Sequence, residues 1–266
     1  WAWVFQSIFK MFHTNKPKKS LGQHFLTSPK AVEAALVAAD LKKSDTVLEI
    51  GPGEGILTSA LLISVDNVIA VEKDEQLVTQ LEQTFATPIV EKRLDIIGAD
   101  ILNFDTESLP AGYKVVANIP YYLTGAIIRK FMTAPNQPER VVLMVQKEVA
   151  ERIIAADGKE SVLSISVKAY GTPRFIKRVA AGSFRPAPKV DSAIIAIENI
   201  NWNNFETGEQ EKTFFNILKS GFTSKRKMLK NNLDLTEDQF QTCGISGTLR
   251  PEKVNLETWL CLAKNI

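Results

Sequence analysis

The sequence is poor in cysteine and has no long apolar run, and each shortage removes a class of function. Cys243 and Cys261 are its two cysteines, with no CxxC spacing and no histidine near them. A disulfide framework or a zinc site is therefore not expected, no metal is called for, and a reducing cytoplasm is the expected compartment. The opening WAWVFQSIFKMF is apolar and aromatic but too short to span a bilayer. It also lacks the basic leader and small-residue cleavage site of a secretory signal, so no membrane partner is expected. Trp1 rather than Met begins the chain and Met11 offers a natural start, so residues 1–12 are expected to be an N-terminal extension. Charge of one sign is lacking too: 32 Lys and Arg face 30 Asp and Glu. A nucleic-acid partner would have to be held by local clusters.

What is present looks like a folded protein, with 45% hydrophobic and 23% charged residues. Between residues 46 and 157, short apolar runs alternate with segments of helical spacing. TVLEIG (46–51), VIAVE (68–72), LDIIGAD (94–100), KVVAN (114–118) and RVVLMVQ (140–146) read as buried strands. GILTSALLIS, DEQLVTQLEQTF, TGAIIRKFM and KEVAERIIAA read as the helices between and after them. The alternation implies an α/β fold, a parallel sheet covered on both faces, whose ligands sit at the carboxyl ends of the strands. SVLSISVKAYG (161–171) is open between helix and strand, and residues 174–199 suggest an antiparallel pair completing the sheet. The polar stretch 201–211 reads as a linker. KTFFNILKSGF, KRKMLKNNL, TEDQFQTCG and NLETWLCLAKNI then read as helical. The expected domains are thus 13–200 and an all-helical 201–266.

Four polar features fall where the strand ends should converge. Gly51, Gly53 and Gly55 form a G-x-G-x-G turn between the first strand and its helix, where a ligand can approach the backbone without a Cβ in the way. Glu72 ends the second strand, placed to accept both hydroxyls of a ribose. Asp100 follows the third strand, placed to accept from an adenine amine, and Asn118 closes the fourth. This set favours an adenosyl ligand without phosphates, which S-adenosylmethionine fits; NAD is the competing cofactor.

NIPYY (118–122) carries the chemistry. An adenine amine is a poor nucleophile because its lone pair is conjugated into the ring. Two acceptors holding its two hydrogens can aim that lone pair at a methyl donor. Asn118 offers a side-chain carbonyl and Ile119 a main-chain one, while Pro120 keeps Ile119 extended and brings no competing N–H. Tyr121 offers a flat face for an unstacked base.

LGQHFLTSP, VLEIGPGEGILT, VIAVEKD, GADIL, NIPYYLT, MVQKEVAERI and FRPAPKVDSAI together resemble the ribosomal RNA adenine dimethyltransferases, most closely the small-subunit KsgA type. The resemblance runs from about Lys18 to the C-terminus. It implies a Rossmann-like class I methyltransferase domain with a mostly parallel seven-stranded sheet, plus a small helical C-terminal domain. It further implies N6,N6-dimethylation of two adjacent adenosines near the 3′ end of small-subunit rRNA, by a cytoplasmic monomer acting on that RNA or its precursor particle. Gln23, His24 and Leu26 are implied to touch the cofactor beside Gly51, Glu72, Asp100 and Asn118. His24 stands where the family more often has Asn. Phe184 is implied to be a second aromatic holding the base against Tyr121. Beside such a site, Lys219, Lys225, Arg226, Lys227 and Lys230 read as an RNA-backbone patch. Lys16, Lys18, Lys19, Arg174, Lys177, Arg178 and Arg185 are further candidates for it. The alternatives are a large-subunit methyltransferase conferring antibiotic resistance, which shares the N-I-P-Y corner, a non-catalytic assembly or transcription factor, and an NAD-linked oxidoreductase.

Overall fold

The β-branched runs pair with one another because an extended strand must find partners for its main-chain polar groups. The computed structural model describes residues 17–18 and 21–265. The expected extension 1–12, Lys16 and Lys19 lie outside the described residues.

In chain order the first part comprises β1 (Phe25–Leu26), α1 (Pro29–Ala39), β2 (Thr46–Ile50), α2 (Ile56–Ser64), β3 (Asn67–Glu72) and α3 (Glu75–Thr84). There follow α4 (Ala86–Val90), β4 (Leu94–Gly98), β5 (Lys114–Asn118), α5 (Thr124–Met132), β6 (Arg140–Gln146) and α6 (Lys147–Ile154). β7 (Thr172–Val179), β8 (Phe184–Arg185) and β9 (Ser192–Glu198) come last among the strands. Seven of them form one sheet in the order β4-β3-β2-β5-β6-β9-β7. β2 pairs in parallel with both β3 and β5, β3 with β4, and β5 with β6, while β9 runs antiparallel to β6. This is the mostly parallel, seven-stranded architecture expected. The chain leaves β2 toward β3 on one side and later returns to β5 on the other. That switch opens a crevice at the carboxyl ends of β2 and β5. At the opposite end, the buried Lys114 ammonium is matched by Asp45 at 2.8 Å and by the Asp40 carbonyl at 2.6 Å. β1 and β8 form a separate antiparallel pair, with Phe25 opposite Arg185 and Leu26 opposite Phe184.

Two compact units divide the chain. One holds the described residues up to Ala150 with Arg174–Ile200; the other holds Glu151–Pro173 with the residues from Asn201 onward. Residues 151–173 therefore belong with the C-terminal unit, not with the first domain as the sequence pattern suggests. Tyr170 shows why: its ring packs edge-on to Trp202 at 5.7 Å and against Phe205 at 5.6 Å and Phe215 at 6.1 Å. Residues 161–171, left open by pattern, contain the helix α7 (Val162–Lys168), started by a reciprocal capping box between Ser161 and Ser164.

Three further readings are corrected in this unit. Residues 201–211 are not a linker, since Trp202 and Phe205 join the aromatic core and α8 (Gly208–Gly221) begins inside the stretch. KRKMLKNNL is not an α-helix but a single tight turn at Leu229–Asn231. Its main chain is claimed instead by another loop, Leu229 N–H donating to the Leu249 carbonyl and Lys230 N–H to that of Gly247. After α9 (Glu237–Thr242) and α10 (Leu256–Lys264), Cys243 and Cys261 prove to be joined by a disulfide. Spacing in sequence did not suggest it. The fold brings the C-cap of α9 to the flank of α10, with a Cα separation of 5.6 Å.

Candidate active site

The first strand-to-helix turn is built for close approach. Gly51, Gly53 and Gly55 all have positive φ, at 63°, 60° and 90°. A Cβ on Gly53 would lie 3.0 Å from the Phe25 ring, and one on Gly55 2.5 Å from the Phe85 ring. Glu72 ends β3 with its carboxylate gripped by the main chain. Oε2 accepts from Gly53 N–H at 3.2 Å and Oε1 from Asp74 N–H at 2.9 Å. Burial pushes its pKa up, against the pull of those donors. Asp100 accepts from the Lys73 ammonium at 2.8 Å and from Leu102 N–H at 3.0 Å. That ammonium is the main reason its carboxyl sits below the usual carboxylate range.

Residues 21–26 cross this crevice. Gln23 lines it, but both ends of its amide are in use: Nε2 donates to Asp74 at 3.1 Å and Oε1 accepts from Lys18 N–H at 2.8 Å. Gln23 is thus a strut fastening the segment to the N-cap residue of α3. Leu26 is buried in β1 and also lines the crevice.

Asn118 stands at the end of β5. Its Nδ2 donates to the His24 carbonyl at 2.9 Å. With the NH2 end committed, Oδ1 is left as the amide's unclaimed acceptor. Among the described residues no hydrogen bond claims the Ile119 carbonyl, and the following Pro120 has no N–H. The Tyr121 hydroxyl is bonded to Ser192 Oγ at 2.6 Å, which fixes the ring. Burial raises the Tyr121 pKa, and the bond to Ser192 counteracts this only in part. Tyr122 points outward, 65% exposed.

The crevice encloses about 1030 Å³, counting its open mouth. Gln23, His24, Leu26, Gly51, Gly53, Glu72, Asp100, Asn118, Ile119, Pro120 and Tyr121 all line it. Phe184, in β8, is not among the residues that line it. It is 4% exposed and packs in the core with Leu26, Val32 and Val179, because its strand β8 is held in register against β1.

A family model for ribosomal RNA adenine dimethylase matches residues 14–266. The chain belongs to this family. A ribosomal RNA small subunit methyltransferase A of Dehalococcoides mccartyi is 40% identical over 263 residues, 94% of this chain and 89% of that protein. One from Acaryochloris marina is 36% identical, over 94% of this chain and 97% of its own. Among solved structures, a dimethyladenosine transferase from Plasmodium falciparum superposes with a TM-score of 0.76 and 26% identity, covering 90% of this chain and 96% of its own. The 23S rRNA methyltransferase ErmE gives 0.74 and 26%, covering 91% and 98%.

A ribosomal RNA adenine dimethylase is an enzyme that uses S-adenosylmethionine, and the crevice fits that cofactor. At Gly51 a Cβ would meet only the Asn118 carbonyl, at 3.9 Å, so the glycine leaves open the space a side chain would fill, and carboxylates stand at the ends of two neighbouring strands. Glu49, within β2, is a member of the site that sequence reasoning missed. It is 1% exposed, lines the crevice, and its Oε2 has no hydrogen bond among the described residues. Burial pushes the Glu49 pKa up to about 8, with nearby Thr58 easing the effect and anionic Glu72 adding to it. In TVLEI the residue reads as one polar interruption of a core strand, and a buried acid inside a strand is the one available signal. Ser192, which orients Tyr121, left no signal at all.

Among the cations expected on the dimethylase's RNA surface, several are committed elsewhere. Arg185 donates to the buried Glu54 at 2.8 Å, Arg174 pairs with Glu198 at 2.9 Å, Arg178 with Asp191, and Lys18 with Asp74 at 2.7 Å. Lys219, Lys225, Arg226, Lys227 and Lys230 are all exposed. None of the five forms an ion pair among the described residues.

Proposed function

We propose that this enzyme dimethylates N6 of two adjacent adenosines near the 3′ end of small-subunit rRNA, acting as a monomer on the RNA or its precursor particle in the cytoplasm. The observation that carries the reading is the Asn118 amide, held by the His24 carbonyl so that its oxygen remains available beside the Ile119 carbonyl.

In this reading Glu72 holds the ribose hydroxyls of the cofactor, Asp100 its adenine amine, and the 51–55 turn its amino-acid end. S-adenosylmethionine, when bound, supplies an electrophilic methyl group on a sulfonium. Asn118 Oδ1 and the Ile119 carbonyl each accept one N–H of the target amine, which turns the nitrogen lone pair toward the donor. Tyr121 stacks on the unpaired base and offsets the cost of withdrawing it from its neighbours. No strong base is needed, because the two oxygens hold the protons until one leaves to water. Orientation supplies most of the acceleration. Lys219, Lys225, Arg226, Lys227 and Lys230 neutralise phosphates.

The large-subunit reading draws on the likeness to ErmE. QKEVAERI and the basic SKRKMLKNNL favour the small subunit. The test is mass mapping of methylated adenosines after incubation with unmodified small subunits or with protein-free large-subunit RNA. Two adjacent dimethyladenosines in the small-subunit RNA are expected. Modification of the large-subunit RNA alone would overturn the assignment.

A further inference from the structure

Glu54, inside the glycine turn, is 3% exposed, and a carboxylate withdrawn from water needs a partner. That partner comes from 131 residues further along the chain: Arg185 donates from Nη2 to Glu54 Oε1 at 2.8 Å. Arg185 stands in β8 directly opposite Phe25 of β1. Phe25 touches the same turn, its ring lying 3.0 Å from where a Cβ on Gly53 would stand. A single cross-strand pair thus grips the turn at consecutive residues, by packing at Gly53 and by charge at Glu54. The same two-stranded clasp reaches the Asn118 corner. Pro186, next after Arg185, offers its carbonyl to His24 Nδ1 at 2.7 Å, and the His24 carbonyl accepts from Asn118 Nδ2 at 2.9 Å. Polar contacts therefore run without a break from the turn, through β8 and the start of β1, to the amide at the end of β5.

We infer that Glu54 and Arg185 are a positioning pair for methyl transfer: through the β1–β8 clasp they hold the glycine turn, and with it the methyl donor, in line with the Asn118 corner that takes the target amine. The reaction needs nitrogen, methyl carbon and sulfur aligned, and a misplacement of about 1 Å is costly. A pair with one partner buried is screened by salt less than a surface pair, so its grip persists in the ionic conditions under which RNA is bound. Arg185, a candidate phosphate contact by sequence, spends its charge on Glu54 instead. The inference rests on the adenosine-methylation reading above and adds two positioning residues to it.

The test is a double-mutant cycle of Glu54→Gln, Arg185→Met and the two combined, with Arg185→Lys as the conservative variant. For each protein, calorimetry gives the cofactor Kd without RNA and a thermal scan gives the midpoint. Single-turnover transfer to unmodified small subunits gives the rate with cofactor and particle both saturating. Glu54→Gln and Arg185→Met are each expected to lower that rate about tenfold and to weaken cofactor binding about threefold or more. The combined variant is expected to be no worse than the poorer single one, and Arg185→Lys to recover most of the loss. Affinity for the small subunit, and its dependence on salt, should match the unaltered protein. Losses that multiply in the combined variant, an unchanged rate in either single variant, or a lowered midpoint with the rate kept would each overturn the inference. So would weaker and less salt-dependent particle binding by Arg185→Met, which would make Arg185 a phosphate contact. Absence of transfer by the unaltered protein would instead overturn the adenosine-methylation reading. The cofactor Kd cycle would then decide the pair's grip on the turn, and independent effects at the two positions would overturn it.

Discussion

At the scale of single residues, Asn118 and Glu49 show two ways of being poised. Asn118 is oriented by one hydrogen bond from its amide nitrogen. Glu49 is kept neutral by burial at the floor of the crevice, with a pKa raised from 4.5 to about 8. The native state therefore holds a proton that the unfolded chain has already released across that interval. Stability should fall as pH rises from about 4.5 to about 8, by up to ~1.4 kcal/mol per pH unit, and level off above. Glu49→Gln keeps the shape and removes the titration, so its denaturant-unfolding free energy should decline less between pH 5 and 8. Parallel pH dependences for the two proteins would contradict the assignment. Glu72, Asp100 and Asn118 were legible in the sequence because each closes a strand, where the fold gathers ligands. Glu49 was not, because whether an acid within a strand is buried depends on neighbours contributed from elsewhere.

At the scale of elements, α8 and α10 meet at a position that only glycine can hold. A Cβ on Gly221 would lie 2.3 Å from Cη2 of the buried Trp259. The backbone there is not in the left-handed region, so the requirement is one of packing alone. Gly221→Ala should lower stability by about 1–3 kcal/mol despite alanine's better helix propensity, read as an earlier thermal or denaturant midpoint. An unchanged or raised midpoint would show that the two helices separate without cost. The strands from β2 to β6 were legible because their mainly apolar runs are separated by segments of helical spacing. KRKMLKNNL was misread because its Met228, Leu229 and Leu233 imitate helical spacing. What decides it is the main-chain pairing with residues 247 and 249, invisible in local pattern. The pairing of β8 with β1, which sets Phe184 beside the core, is likewise invisible in local pattern.

For the whole molecule, near-balanced charge conceals a local excess. The five exposed cations between Lys219 and Lys230 lie in the C-terminal unit, and the crevice is built by the first unit. Replacing Lys225, Arg226 and Lys227 by Ala should weaken binding to small subunits and make it less salt-dependent. The log–log slope against salt should fall by about one unit for each phosphate no longer neutralised. Cofactor affinity measured without RNA should be unchanged. An equal fall in both affinities would indicate misfolding and remove the RNA-binding role. The unit boundary was only partly legible: the helical C-terminal region was expected, but the recruitment of 151–173 depends on Tyr170 meeting Trp202, Phe205 and Phe215. The disulfide between Cys243 and Cys261 depends in the same way on tertiary placement. Among the described residues, no helix is long and apolar enough to cross a membrane.

The central claim is that the Asn118 oxygen and the Ile119 carbonyl together orient the target amine. The most direct measurement is the single-turnover rate of methyl transfer by Asn118→Ala to unmodified small subunits, with cofactor and particle both saturating. The expected result is a rate about 10²-fold lower or more, the scale on which one pre-oriented polar partner acts in a transition state, with the cofactor still bound. Transfer at the unaltered rate under those conditions would contradict it.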